Sequence, residues 1–148
     1  ESMLMGRGGE SLVADELMEH VVTRLTDEGL IIEIFDLEGE PLFKERTAEP
    51  TDILKGIAAG LQSAFAIVGN DVAIAGHLNS LPVVVRNNPV WDLSTSRADA
   101  MRGLLTGYGL SPNRTRRVSG YADREPIVPD ATSPRNTRLE VVLLREGK

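Results

Sequence analysis

The sequence contains no cysteine, which excludes disulfide bridges, thiolate metal centres and thiol catalysis but leaves the redox compartment open. Aromatic residues are scarce, with one Trp, two Tyr and three Phe, so stacking platforms for single-stranded nucleic acid are not expected. The formal net charge of −6 removes the basic patch that phosphate neutralisation requires, and nucleic acid is not an expected partner. No stretch of about 18 apolar residues occurs, so no segment reads as a membrane span, and no signal peptide is visible. His20 and His77 are the only histidines, far apart in sequence. Nothing supplies a metal triad of recognisable spacing, so neither metal nor cofactor is expected.

What is present suits a folded domain. A chain of 148 residues with 41% hydrophobic and 26% charged residues can bury a real core as one domain, or one domain with an appendage. Residues 1–10, with Gly6, Gly8 and Gly9, read as a flexible lead, and the absence of an initiator Met suggests a fragment. From Ser11 the spacing of Val13, Leu17, Val21 and Leu25 predicts an amphipathic helix through Leu25. That stripe can pack on the domain's own sheet or pair with a second copy. Leu30–Asp36 reads as a strand, Glu38-Gly39-Glu40-Pro41 as a turn with Leu42-Phe43 pairing back, and a helix follows from near Pro50. Its core face is Ile53, Leu54, Ile57, Ala58, Leu61 and Phe65. Asp71–His77 is a strand of small residues, residues 78–91 a loop, Leu93–Tyr108 a helix stopped at Gly109, Arg116–Tyr121 a short strand, and Leu139–Leu144 the last strand. Strands alternating with helices predict an α/β sandwich with helices over one face of a small sheet.

The segment Trp91–Ala100 carries the chemistry. Asp92 is a plausible N-cap, and Met101, Leu104, Leu105 and Tyr108 follow at helical spacing. Arg97 points along that stripe from an early turn, where the helix dipole disfavours a cation. A guanidinium there calls for an anion, which free N–H groups at the same helix end would help to bind. It is either a carboxylate receptor or one half of an internal salt bridge. Arg114, Arg116 and Arg117 read as a solvated basic run, and Arg135 and Arg138 as locks between a loop and the last strand.

The Leu-Ser-x-x-Arg-Ala core at Leu93–Ala98 resembles the OmpA-like peptidoglycan-binding family. Three further pieces match in order: Gly76-His77 at a strand end, Gly120-Tyr121-Ala122-Asp123-Arg124-Glu125-Pro126, and Arg135-Asn136-Thr137-Arg138 before the final strand. Upstream, Glu28–Ile34 and Leu37–Phe43 resemble the MotB branch, the flagellar motor stator subunit that anchors the motor to the cell wall. The resemblance covers about residues 27–145. It implies an OmpA-like two-layer sandwich over residues 27–148, a small mixed sheet with helices on one face, with residues 1–26 as an amino-terminal lead and linker helix.

The resemblance also implies a ligand, the diaminopimelate side of the peptidoglycan stem peptide, whose free end carries a carboxylate and an ammonium. Arg97 matches the family arginine that takes the carboxylate, and its planar fork suits that task. The family aspartate for the ammonium falls on Asn79, and the preceding threonine on Leu78. His77 is expected to fix the neighbouring loop by hydrogen bonding. Asp123 is open between turn geometry and ligand contact, and Ser94, in a first helical turn, suits a cap. A Ser-His-Asp hydrolase built on Ser94 and His77 lacks the Gly-x-Ser-x-Gly turn, so no enzyme is expected. The candidate ligand-binding residues are therefore Arg97, Asn79, Leu78, His77, Ser94 and Asp123. The implied role is a homodimeric, periplasmic wall anchor, tethered in the inner membrane and acting with an ion-channel stator subunit so that ion flow drives rotation. The alternatives are an anchor of another envelope protein, or an interaction module that kept the fold with weakened wall binding.

Overall fold

The computed structural model describes residues 17–78, 90–121 and 136–145, with residues 90–92 described by backbone alone. Their order is β1 (Val21–Leu25), β2 (Gly29–Phe35), α1 (Asp52–Phe65), β3 (Val72–His77), α2 (Val90–Gly107), a short 3-10 turn at Pro112–Arg114, β4 (Thr115–Gly120) and β5 (Arg138–Leu144). The strands form one five-stranded sheet in the order β1-β2-β5-β3-β4. All neighbours are antiparallel except β3 and β4, which run parallel and are joined through α2. The expected mixed sheet with helices on one face is what forms.

Alternation along the strands assigns the two faces. Ile32 and Ile34 of β2, Val72 and Ile74 of β3, and Leu139 and Val141 of β5 point into the core with both helices. Leu54, Ile57, Ala58, Leu61 and Phe65 supply the buried face of α1, and Ala98, Met101 and Leu105 that of α2. The stripe does not reach Tyr108, which lies beyond α2 and is exposed. α1 starts at Asp52, and the Thr51 hydroxyl before it donates to the carbonyls of Pro41 and Leu42 at 2.8 and 3.0 Å. Those bonds tie the helix start to the preceding turn. Phe43 makes a single bridge to Pro50 rather than joining a strand.

The helix expected across Ser11–Leu25 is corrected over its second half. Only Leu17 and Met18 are helical among the described residues, and Val21–Leu25 is the edge strand β1. Val21, Val22 and Thr23 are β-branched and fit a pleated surface, and pairing with β2 satisfies their backbone on one side. Leu17 and Val21 still pack on the core, so this part of the stripe serves the domain's own sheet. The sheet thus includes residues that the sequence assigns to a linker. His20 fastens the junction: its carbonyl accepts the Phe35 N–H at 2.9 Å, and its Nδ1 lies 2.8 Å from the Phe35 carbonyl oxygen.

α2 begins at Val90, so Asp92 is its third residue and not its N-cap. Arg97 consequently sits past the second turn, beyond the reach of free amides at the helix end. α2 approaches the sheet closely because Gly76 and Gly120 lie beneath it. A Cβ on Gly76 would stand 2.2 Å from the Ser94 carbonyl oxygen, and one on Gly120 2.5 Å from the Ser94 hydroxyl.

Candidate ligand-binding cleft

A cleft of about 460 Å³ opens where the far end of β2, the following turn, the end of β3 and α2 converge. Its lining includes Asp36, Phe43, Arg46, Leu78, Arg97 and Thr137. Leu37 and Glu40 pair across a tight turn whose Gly39, at φ +76°, takes a backbone conformation open to glycine. Thr137 reaches the cleft because its carbonyl accepts the Asp36 N–H at 3.1 Å, joining the start of β5 to the end of β2.

Arg97 is the buried cation of this cleft, 7% exposed. Its Nε–H donates to the Thr47 carbonyl at 2.7 Å, and its guanidinium carbon lies 4.8 Å from the centre of the Phe43 ring. Among the described residues that is the guanidinium's one hydrogen bond, and no carboxylate pairs with it. Burial pulls the Arg97 pKa below its ordinary value, opposed by the Asp36 charge and assisted by Arg46. Among the described residues, Arg97 is held by a backbone carbonyl and an aromatic face and not by an internal salt bridge.

Asp36 stands in the same cleft and was not singled out from the sequence, where it reads only as the end of a strand. Its Oδ1 accepts the Leu42 N–H at 3.0 Å, closing the turn. Burial pushes its carboxyl above the ordinary value, against the lowering effects of that amide, Arg97 and His20.

The sequence-derived residues separate. Arg97 and Leu78 meet in the cleft. Ser94 is fully buried against Gly76 and Gly120 and serves the helix–sheet contact. His77 lies on the opposite face of the sheet from the helices, stacked on Tyr121 with ring centroids 5.0 Å apart. It does not fix a loop by hydrogen bonds: among the described residues neither ring nitrogen has a hydrogen-bond partner, and Nε2 lies 3.6 Å from Glu140 Oε1. Asn79, Asp123 and Arg135 lie outside the described residues.

Behind the cleft, that second face carries a charged group. Glu33 and Glu140 sit directly opposite in register, an arrangement that repels unless bridged. Arg24 bonds Glu33 at 3.1 Å and approaches Glu140 at 3.7 Å, while Arg138 lies 3.8 Å and 3.5 Å from the same two carboxylates. The His77 imidazole holds the Glu140 carboxyl below its ordinary value, against burial, which raises it. Arg138 also donates to the Asn136 carbonyl at 3.1 Å, two residues before it.

The basic run is not a uniform solvated surface. Arg114 clamps two carbonyls, donating to Asn70 at 2.9 and 2.6 Å and to Phe65 at 2.8 Å. Arg116 pairs with Asp71 at 2.7 Å, and Arg117 with Glu28.

No protein-family model matches the chain. It is 28% identical over 138 residues to Motility protein B of Escherichia coli K12, an alignment covering 88% of this chain and 43% of that protein. The chain thus spans under half the length of that relative. Its fold superposes on the periplasmic domain of Helicobacter pylori MotB with a TM-score of 0.72 at 19% identity, covering 86% of this chain and 83% of the other. The cell wall anchor of the T6SS from Pseudomonas aeruginosa gives 0.73 at 24% identity, covering 95% and 98%. The fold is therefore that of the MotB periplasmic and OmpA-like domains. In this domain the Leu-Ser-x-x-Arg-Ala segment does two jobs: Ser94 and Ala98 seat α2 on the sheet, and Arg97 turns to the cleft.

Proposed function

We propose that this domain is a non-enzymatic cell-wall anchor that grips the peptidoglycan stem peptide through Arg97. The single observation carrying this reading is a guanidinium buried in a cleft with one nitrogen bonded to the Thr47 carbonyl and no carboxylate beside it among the described residues. A planar fork in that state takes a carboxylate through two parallel hydrogen bonds. Leu78 and Phe43 give the cleft its apolar wall, and by the resemblance the family aspartate falls on Asn79. The relatives' roles favour a periplasmic domain of a membrane-anchored stator protein, working as a homodimer with an ion-channel subunit so that ion flow turns the rotor. Residues before the sheet would then be the tether.

Co-sedimentation with purified peptidoglycan tests this reading. Wild type should pellet with the wall, and Arg97→Lys, which keeps the charge but not the fork, should pellet at least about tenfold more weakly. A folded wild type that stays in the supernatant would favour the second reading, an interaction module with weakened wall binding, which Asn79 motivates.

A further inference from the structure

His20 is buried, 1% exposed, and its two ring nitrogens meet different surroundings. Nδ1 lies 2.8 Å from the Phe35 carbonyl oxygen, which can only accept, so Nδ1 carries a proton and donates it. In the neutral imidazole that leaves Nε2 as a bare lone pair. Nε2 has no hydrogen-bond partner among the described residues, and it faces the Glu40 carboxylate, whose Oε1 is 3.5 Å away. Two acceptors thus oppose each other across a short gap. Only a second proton on the ring turns that opposition into a bond, an N–H donating to a carboxylate of opposite charge.

The two residues belong to different parts of the fold. His20 precedes β1, and its carbonyl and its Nδ1 both hold Phe35 at the end of β2. Glu40 closes the turn after β2: its N–H donates to the Leu37 carbonyl at 2.9 Å, and its carbonyl accepts the Leu37 N–H at 3.3 Å. Leu37, Glu38, Gly39 and Pro41 of that turn line the cleft. We propose that His20 and Glu40 form a proton-operated latch, which on protonation of the ring fastens this lip of the cleft to the base of the edge strand. The other charged groups nearby are engaged elsewhere. Asp36, at the end of β2, also feels the ring, but its Oδ1 is committed to the Leu42 N–H, and Arg97 acts on it from the cleft. Glu19, next to His20 in the chain, is exposed, and Glu38 lines the cleft. The Glu40 side chain is 53% exposed, so protons reach the pair from solvent. The latch depends on these two residues and not on what the cleft binds.

Imidazole nitrogen shifts and amide hydrogen exchange read the latch directly in the full chain without ligand. With the ring neutral, the proton should sit on Nδ1 and not on Nε2. As pH falls from about 8 to about 5 and the ring takes its second proton, the Leu37 and Glu40 amides should become roughly two- to fivefold better protected, after correction for the intrinsic pH dependence of exchange. That is the scale of a partly solvated ion pair. Glu40→Ala changes an exposed side chain and should lose this gain while the ring still titrates. Glu40→Gln can donate to the bare nitrogen or accept from the protonated one, and should protect the turn without regard to pH. A neutral ring with its proton on Nε2 would overturn the proposal. So would a ring that stays neutral until the domain unfolds in acid, or a gain in protection that survives in Glu40→Ala.

Discussion

Gly76 and Ser94 are in backbone contact: a single Cβ on Gly76 would lie 2.2 Å from the Ser94 carbonyl oxygen. Backbone cannot swing aside as a side chain can, so Gly76→Ala must push α2 off the sheet. The expected loss is about 1–3 kcal/mol or more, read as a lowered urea midpoint with an unchanged slope. Because α2 carries Arg97, the same variant should also weaken peptidoglycan binding. Wild-type stability in Gly76→Ala would mean that α2 sits further from β3 than described.

Arg97 holds the cleft together as well as facing it. Arg97→Ala removes the bond to the Thr47 carbonyl and the contact with Phe43, and should cost roughly 1–3 kcal/mol of stability. The domain should remain folded, with its thermal transition shifted down and still cooperative. An unfolded Arg97→Ala protein would show the residue to be indispensable to the fold, and Arg97→Lys would then be the variant that reports on binding.

Asp36 should stabilise the domain when neutralised. Its folded pKa is raised, so its contribution is fully present below the ordinary value of 3.8 and is lost as pH rises through the folded value. At neutral pH the ionised group therefore opposes folding. Asp36→Asn, which retains an acceptor for Leu42, should melt higher than wild type at pH 7, with the difference shrinking towards about pH 3. A lower melting point at pH 7 would mean that attraction to Arg97 and His20 outweighs burial.

Glu140 works in the opposite sense. Its folded value is held below the ordinary 4.5, with His77 the leading cause, so its stabilisation is present above that value and lost as pH falls through the folded one. Glu140→Gln should flatten the acid limb of the stability curve between about pH 5 and pH 2. An acid limb as steep as that of wild type would place the responsible carboxylate elsewhere, with Glu33 the next to replace.

Much of the fold is legible in the sequence because its signals are local. The i, i+3, i+4 run from Leu54 to Phe65 can only be one face of a helix, and the alternation through Val72 and Ile74 only a strand between close neighbours. β1 was hidden because Leu17, Val21 and Leu25 repeat at helical spacing, while the partner that makes Val21–Leu25 a strand lies across a turn in β2. Arg114 was misread for a similar reason. A guanidinium clamping carbonyls at Asn70 and Phe65, over forty residues away, leaves no mark in its neighbours. The cleft was half legible. Arg97 announces itself as a cation in an apolar stripe, whereas Asp36 ends a strand in a way that many solvated residues do. Only the fold, by bringing the end of β2 against α2, puts the two charges in one space.

The placement of β1 at the sheet edge sets a mechanical path. Val21, where the chain enters the sheet, pairs with Ile34, and His20 is bonded to Phe35, the residue before Asp36. If Arg97 holds a ligand as proposed, tension arriving from the preceding chain would cross the His20–Phe35 bonds at one end of the sheet and leave through α2, which carries Arg97. Under the proposed anchoring role, the His20–Phe35 bonds would be among the first contacts in the domain to feel such a pull.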